Sequence, residues 1–182
     1  MRILFSAVPA HGHVLPLAPL MEAAVASGHS VALLASESVR PLADQELSAG
    51  VELLGSGAAA PEFLAEAGRR TGGDPTRPNP AVIGEIFGNT RLDLDADEAL
   101  QRAREWEPDL VVAEAFDTVG PLIAAHLDVP WHQMGLGPGL APVLADQITQ
   151  AVAPHYERAG TKPLPPSSYL DPCPPRSRLR TG

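Results

Sequence analysis

The chain opens on Met1-Arg-Ile-Leu-Phe-Ser-Ala-Val-Pro-Ala-His-Gly-His13, and this stretch limits what the remainder can fold into. Ile3 to Val8 is a short apolar run of the kind that suits a strand buried on both faces. Pro9 to His13 breaks it. Leu15, Leu17, Leu20, Met21, Ala24 and Val25 then recur at helical spacing, and Gly28 stands where a helix takes its C-cap. The first unit is therefore strand, tight loop, helix. In open α/β sheets ligands bind in the crevice at the carboxyl ends of the strands. His13 lies in that loop, at or just before the first helical turn.

The alternation continues. Ser30 to Ser36 reads as a second strand, Pro41 to Ala49 as a short helix ended by Gly50, and Val51 to Leu54 as a third strand. Ala81 to Trp106 reads as helical with a break around Gly88-Asn89, and Pro108 stops it. Asp109 to Ala113 is a strand, Glu114 to Asp117 the loop at its carboxyl end, Val119 to Leu127 a helix and Trp131 to Met134 a strand. Gly135 to Gly139 is a loop, and Leu140 to Arg158 a longer helix interrupted or ended near Pro154. Short connections between alternating strands and helices predict an α/β fold: a Rossmann-like, doubly wound parallel sheet with right-handed crossovers.

Two stretches stand apart. Gly55 to Pro80 is rich in Gly and Pro, with room for a short helix from Pro61 to Arg70. It reads either as a surface insertion or as a substrate-facing loop. From Ala159 the chain turns Pro-rich, then basic at Arg176 to Arg180, and such a composition continues neither sheet nor helix well. The expected organisation is one domain over 1–160 and the start of an inter-domain linker over 161–182.

Charge and cysteine usage remove several classes. The net charge is −9, with 13 basic residues among which Lys162 is the only Lys, so a nucleic-acid surface is not expected. A single cysteine, Cys173, excludes an internal disulfide, and nothing among its neighbouring prolines would activate its thiol. The N-terminal apolar run is too short for a secretory leader. No stretch approaches the roughly 20 apolar residues of a membrane helix. A soluble, reduced, cytoplasmic protein without membrane partners is the expectation.

The first loop carries the chemistry. A dinucleotide cradle would need Gly-x-Gly-x-x-Gly there, and this loop has only Gly12 and two histidines. Histidine is the natural general base near neutral pH, and such a base needs an acidic group to fix its tautomer. Glu114 and Asp117, just past another strand, can open into the same crevice, Glu114 being the better placed. The same spacing also suits a His13 that only caps its helix. His11 and His13 stand at i, i+2 with no third and fourth ligand in view, which argues against a metal. Asp93-Leu-Asp95-Ala-Asp97 has a metal-site look, but i, i+2 residues of a helix point apart. It reads as a solvated acidic face.

These residues resemble a family. Phe5-Ser-Ala-Val-Pro-Ala-His-Gly-His-Val-Leu-Pro-Leu-Ala-Pro-Leu, followed by Ala26-Ser-Gly-His29-Ser-Val, resembles the start of family-1 glycosyltransferases of the GT-B fold. The likeness is to actinobacterial enzymes acting on macrolides, polyketides and other natural products. Glu107 to Glu114, the helix from Gly120 ending Leu-Asp-Val-Pro130, and Tyr169-Leu-Asp-Pro-Cys-Pro-Pro175 agree with it. The resemblance implies that His13 deprotonates an acceptor hydroxyl for attack on a nucleotide-activated sugar, with inversion. It implies Glu114 as the acidic partner, where many relatives carry Asp. It further implies an acceptor site touching His11, Gly12, Phe63, Phe87, Asp117, Gly135, Leu136 and Gly137. No metal or bound cofactor is implied, only a nucleotide-sugar co-substrate and a hydrophobic small-molecule acceptor. The family's second domain, which holds the diphosphate, has no counterpart here, so the chain looks like the acceptor-binding half and by itself is not expected to transfer sugar at a useful rate. The competing reading is a non-catalytic acceptor-binding module or the partner of a separate donor subunit. A Rossmann-like cofactor protein is disfavoured by the first loop.

Overall fold

The computed structural model describes residues 1–73, 77, 79–137 and 140–172. Six strands form one sheet: β1 (Arg2–Ser6), β2 (Ser30–Ala35), β3 (Val51–Gly55), β4 (Leu110–Glu114), β5 (Trp131–Met134) and β6 (Ser168–Leu170). Their order is β3-β2-β1-β4-β5-β6, and every neighbouring pair is parallel. This is the Rossmann-like, doubly wound sheet that the strand–helix alternation predicts.

Burial follows place in the sheet. In β1, β2 and β4 every residue after the first is buried, whereas edge strand β3 has none that is fully buried. Side chains alternate across a strand, so each central strand feeds two cores. Ile3, Phe5, Val31 and Leu33 pack with Leu17 and Met21. Leu4, Ala32, Leu34, Val111 and Ala113 pack with Leu92, Leu122, Ile123 and Val152 on the opposite face.

The first face is covered by helical residues that begin at His11: α1 (His11–Val14), a 3-10 turn (Leu15–Leu17) and α2 (Ala18–Ala26). Pro16 and Pro19 lack the amide hydrogens that would join these pieces into one regular helix. Gly28, at φ 80°, closes the run. A short helix α3 (Arg40–Glu46) completes this side.

On the other face lie α6 (Arg91–Trp106), α7 (Val119–Leu127) and α8 (Pro142–Arg158), preceded in the chain by α4 (Ala60–Thr71) and α5 (Pro80–Ile83). Among the described residues no helix is long and apolar enough to cross a membrane.

Several local expectations are met in part or need revision. The short helix expected over Pro61 to Arg70 is present as α4, one residue longer at each end, and it buries Phe63 and Ala67 against Val8, Val82 and Ile86 in a third small core. Residues 74–76 and 78 of the Gly/Pro-rich stretch lie outside the described residues. Strand β4 runs one residue further than expected, because Glu114 still pairs in register with Met134. Helix α8 passes through Pro154: the lost amide bond lies on the exposed side, while Val152, His155 and Tyr156 anchor the inner side. The Pro-rich tail, expected to leave the sheet, instead supplies β6 alongside β5, and the preceding coil is held where the Trp131 indole donates to Leu164 O at 2.9 Å. Cys173 and the basic run beyond it lie outside the described residues. The acidic stretch is helical, with Asp93 and Asp97 exposed as expected and only Asp95 turned inward. Asp95 is 1 % exposed and paired with Arg91, and Asp93 pairs with Arg70 and Arg158.

The expected break at Gly88-Asn89 is a change of winding. Gly84 to Thr90 form a π-helical segment between α5 and α6. Its glycines let α8 approach closely: a Cβ on Gly88 would stand 2.6 Å from Ala151 Cβ and 3.0 Å from Ile148 O, and one on Gly84 2.9 Å from Gln147 O. Beside this contact His155 of α8 is 4 % exposed, with Nε2 2.9 Å from Asn89 Oδ1 and Nδ1 2.6 Å from Arg158 Nη2. The amide oxygen accepts and the guanidinium donates, so the imidazole is neutral with its hydrogen on Nε2. Burial first, and then the Arg158 charge, lowers its pKa from the usual 6.5.

Two predictions follow from this contact. Gly88→Val should cost about 1–3 kcal/mol in urea unfolding, since neither Ala151 nor the Ile148 carbonyl can swing aside; an unchanged midpoint would mean that α8 shifts freely. For His155 the folded pKa lies below the unfolded one, so the unfolded chain binds the proton first. Its contribution is full above pH about 6.5 and is lost as pH falls, with a slope of at most about 1.4 kcal/mol per pH unit for one proton. His155→Gln should remove that part of the slope between about pH 5 and 7, as read by urea midpoints.

Candidate active site

Between β1 and β4 the winding of the sheet reverses, because β1 leads on to β2 on one side and β4 to β5 on the other. At such a switch point the loops leaving the two strands part, and a crevice opens at their carboxyl ends. His13 sits in the helical turn after β1, and Glu114 is the last residue of β4. The topology thus brings together two residues 101 positions apart.

His13 Nδ1 lies 2.9 Å from Glu114 Oε1. The His13 side chain is 22 % exposed and that of Glu114 fully buried. Two backbone amides hold the carboxylate: Val8 N–H donates to Oε1 at 3.2 Å and Phe116 N–H to Oε2 at 2.8 Å. A carboxylate facing Nδ1 assigns the ring hydrogen to that nitrogen and leaves the Nε2 lone pair free to accept. Among the described residues Nε2 has no hydrogen-bond partner. A proton taken up there would create an imidazolium directly against a buried, hydrogen-bonded carboxylate, the arrangement that stabilises such a cation.

Aromatic rings wall the histidine. Its ring centroid is 5.8 Å from that of Phe116, edge-on, and 6.4 Å from that of Phe87, while the two phenyl rings are 5.1 Å apart. Phe87 belongs to the π-helical segment, which Thr118 Oγ1 ties down by donating to Phe87 O at 2.5 Å. Beyond Phe116 lie two adjoining cavities of about 280 and 380 Å³, sharing Ala115, Leu140 and Tyr169. The smaller is lined largely by apolar side chains, with Leu136 and Leu144 opposite Phe116.

Beneath the pair is a second layer of charge. Arg91 is 2 % exposed, forms an ion pair with Asp95, donates to Ala7 O at 3.2 Å and has Nη2 3.6 Å from Asp117 Oδ1. Burial lowers the guanidinium's pKa against the opposing pull of Asp117 and then Glu114. Asp117 Oδ2 accepts the Gly120 N–H at 2.8 Å and so caps the first turn of α7.

The structure separates the expected site residues into groups. His13, Glu114 and Phe87 come together in the crevice, and Leu136 and Gly137 line the smaller cavity. His11 and Gly12 are exposed on the turn that carries His13, and a Cβ on Gly12 would meet nothing within 4 Å. Gly135 lies against Tyr169 and Pro172, and its N–H donates to Leu170 O at 2.9 Å, so it seals β6 to β5. Two residues occupy other places than a ligand contact needs. Phe63 is 1 % exposed in the third core, and the Asp117 side chain is fully buried on Arg91 and Gly120. Gly139, the end of the expected loop, lies outside the described residues. Sequence reasoning missed Phe116 and Arg91. Phe116 stands only two residues past Glu114, which is a usable signal. Arg91 forms an i, i+4 pair with Asp95 that reads as an ordinary surface bridge. Among the described residues no group of three or more His, Cys, Asp or Glu is placed to hold a metal ion.

Comparison with known proteins bears on the family and the fold. The family of erythromycin biosynthesis protein CIII-like N-terminal domains matches residues 82–176, more than half of the chain. The L-demethylnoviosyl transferase of Streptomyces niveus is 30 % identical over 192 residues, covering all of this chain and 47 % of the relative. The crystal structure of the Streptomyces sp. SF2575 glycosyltransferase SsfS6 superposes with a TM-score of 0.82 at 32 % identity, over 96 % of this chain and 51 % of that one. The spinosyn rhamnosyltransferase SpnG, in complex with spinosyn aglycone, gives 0.74 at 26 % identity, over all of this chain and 48 % of that one. The chain spans about half the length of the relatives it matches. It belongs to the erythromycin biosynthesis protein CIII-like N-terminal domain family, the Rossmann-like first half of actinobacterial natural-product glycosyltransferases of the GT-B fold.

Proposed function

We propose that this domain, in an intact glycosyltransferase, binds a hydrophobic polyketide- or macrolide-like acceptor and activates one of its hydroxyls with His13 as general base. The observation that carries the reading is the 2.9 Å contact between His13 Nδ1 and the buried Glu114 carboxylate at the sheet's switch point. His13 Nε2 takes the hydroxyl proton as the acceptor oxygen attacks the anomeric carbon of a nucleotide sugar. The new glycosidic C–O bond forms on the face opposite the departing nucleoside diphosphate, so the configuration inverts. Glu114 keeps the ring in the right tautomer and balances the imidazolium until the proton is passed to water.

Relatives support the choice of ligands. SsfS6 has been crystallised with thymidine diphosphate and SpnG with both thymidine diphosphate and spinosyn aglycone. The apolar cavity beside Phe116 suits a large, weakly polar acceptor, which water would otherwise have to solvate. In this reading His13 needs no metal to act as a base, the diphosphate is held by the other half of the protein, and the enzyme works in the cytoplasm.

In a full-length form, His13→Ala should lower kcat by about 10²–10⁴-fold while acceptor binding stays nearly intact. Glu114→Gln should fall into the same range, and the double variant should be little worse than either single one, because the two groups act as a unit. Unchanged turnover in His13→Ala would remove the base role and leave a binding module. Residues 1–182 assayed alone with a nucleotide sugar and an acceptor should give no useful transfer; measurable turnover by this polypeptide would overturn that.

A further inference from the structure

One peptide unit joins the buried arginine to the catalytic pair. The carbonyl oxygen of the Ala7–Val8 unit accepts from Arg91 Nη2 at 3.2 Å, and the N–H of the same unit donates to Glu114 Oε1 at 3.2 Å. A trans peptide unit is planar, with its oxygen and hydrogen on opposite sides, so fixing one end aims the other. Ala7 lies past the last residue of β1, its N–H still donating to Leu34 O of β2 at 3.4 Å, but the Ala7–Val8 peptide unit that follows has its O and N–H on Arg91 and Glu114 rather than on a neighbouring strand.

The arginine has a second hold on the site. Asp117 Oδ2 is occupied by the Gly120 N–H, which leaves Oδ1 toward Arg91 at 3.6 Å. The Asp117 N–H in turn donates to Glu114 O at 3.0 Å, so the turn that carries Phe116 is closed on the Glu114 backbone. Asp95 faces Arg91 from one helical turn further along α6 and is itself fixed by the Ala58 N–H at 2.7 Å. The groups around the guanidinium are thus Asp95 from α6, Asp117 from the β4–α7 turn and, through the shared peptide unit, Glu114 from β4.

We propose that Arg91 is a positioning residue for the His13–Glu114 pair, acting through the Ala7–Val8 peptide unit and through Asp117. It makes no hydrogen bond to His13. Its role is to hold the Val8 N–H on the Glu114 oxygen that faces the ring, and so to keep that oxygen on Nδ1. The catalytic meaning of this rests on the reading of His13 as the base; the positioning itself does not.

The experiment uses the 182-residue chain with 15N-labelled histidine, the His13 signals being assigned by their loss in His13→Gln. Two quantities are read: the His13 tautomer from its ring 15N shifts, and the hydrogen-exchange rate of the Val8 amide relative to that of Leu4 in the core of β1. In the parent chain the Nδ1–H tautomer should dominate and the Val8 amide should be protected. In Arg91→Lys, whose single ammonium cannot serve Asp95, Asp117 and the Ala7 carbonyl together, Val8 exchange relative to Leu4 should rise at least about tenfold. The Nδ1–H form should lose its dominance. A folded Arg91→Lys chain with both readouts unchanged overturns the proposal. If that variant does not fold, Arg91→Met with Asp95→Asn removes the charge and its nearest counter-charge together, and the same two readouts decide. Failure of both variants to fold assigns Arg91 to the fold alone and likewise overturns the proposal. A parent chain in the Nε2–H tautomer would instead sink the base reading, a separate outcome.

Discussion

A carboxylate withdrawn completely from water must have its lone pairs met by the protein, or its burial costs several kcal/mol. Glu114 is in that position, and three segments of chain converge to meet it: the exit from β1 through Val8, the turn after β4 through Phe116, and the first helical turn through His13. None of the three could be moved without unsatisfying the carboxylate. The crevice at the switch point is therefore a fixed framework, and the parallel register of β1 with β4 is what sets its width.

The outer layers keep that framework dry on one side and open on the other. The π-helical segment carries Phe87 to the histidine, and its small residues let α8 lie almost backbone to backbone against it. Widening a helix by one residue per turn changes which side chains face inward, and such segments recur where a side chain must be re-aimed. On the far side of the histidine, Phe116 continues the aromatic wall toward the apolar cavities.

Much of this was legible in the sequence, and for definable reasons. The central strands are continuous apolar runs because both faces are covered, so β1, β2 and most of β4 could be read directly. The pairing of His13 with Glu114 followed from placing each at a strand's carboxyl end. What escaped were features set by tertiary contact. Ser168 to Leu170 form a strand although prolines precede and follow them, because β5 offers an unpaired edge for a short three-residue ladder. Phe63 looked like a ligand contact because it lies in a Gly/Pro-rich stretch, yet the helix that carries it turns that face to the core. Arg91 and Asp95 have the spacing of a surface ion pair, and only packing against Phe63 and Ala7 reveals them as buried.

The cavity beside Phe116 is built unevenly, and this has a consequence for how such a domain can change. One wall is Ala115 and Phe116, which are bound into the carboxylate's surroundings. The facing wall comes from Leu136, Gly137, Leu140, Ala141 and Leu144, ahead of and at the start of α8, and its leucines make no hydrogen bond to Glu114 or Arg91. The later turns of the same helix, around Ile148 and Ala151, are pinned to the π-helical glycines. Substitutions along the first turns can therefore reshape the volume offered to a bound molecule while the rest of the helix holds its station. The fold thus keeps a segment that can vary in shape apart from the fixed surroundings of the His13–Glu114 pair, so the cavity can be remodelled without disturbing the groups that hold the carboxylate.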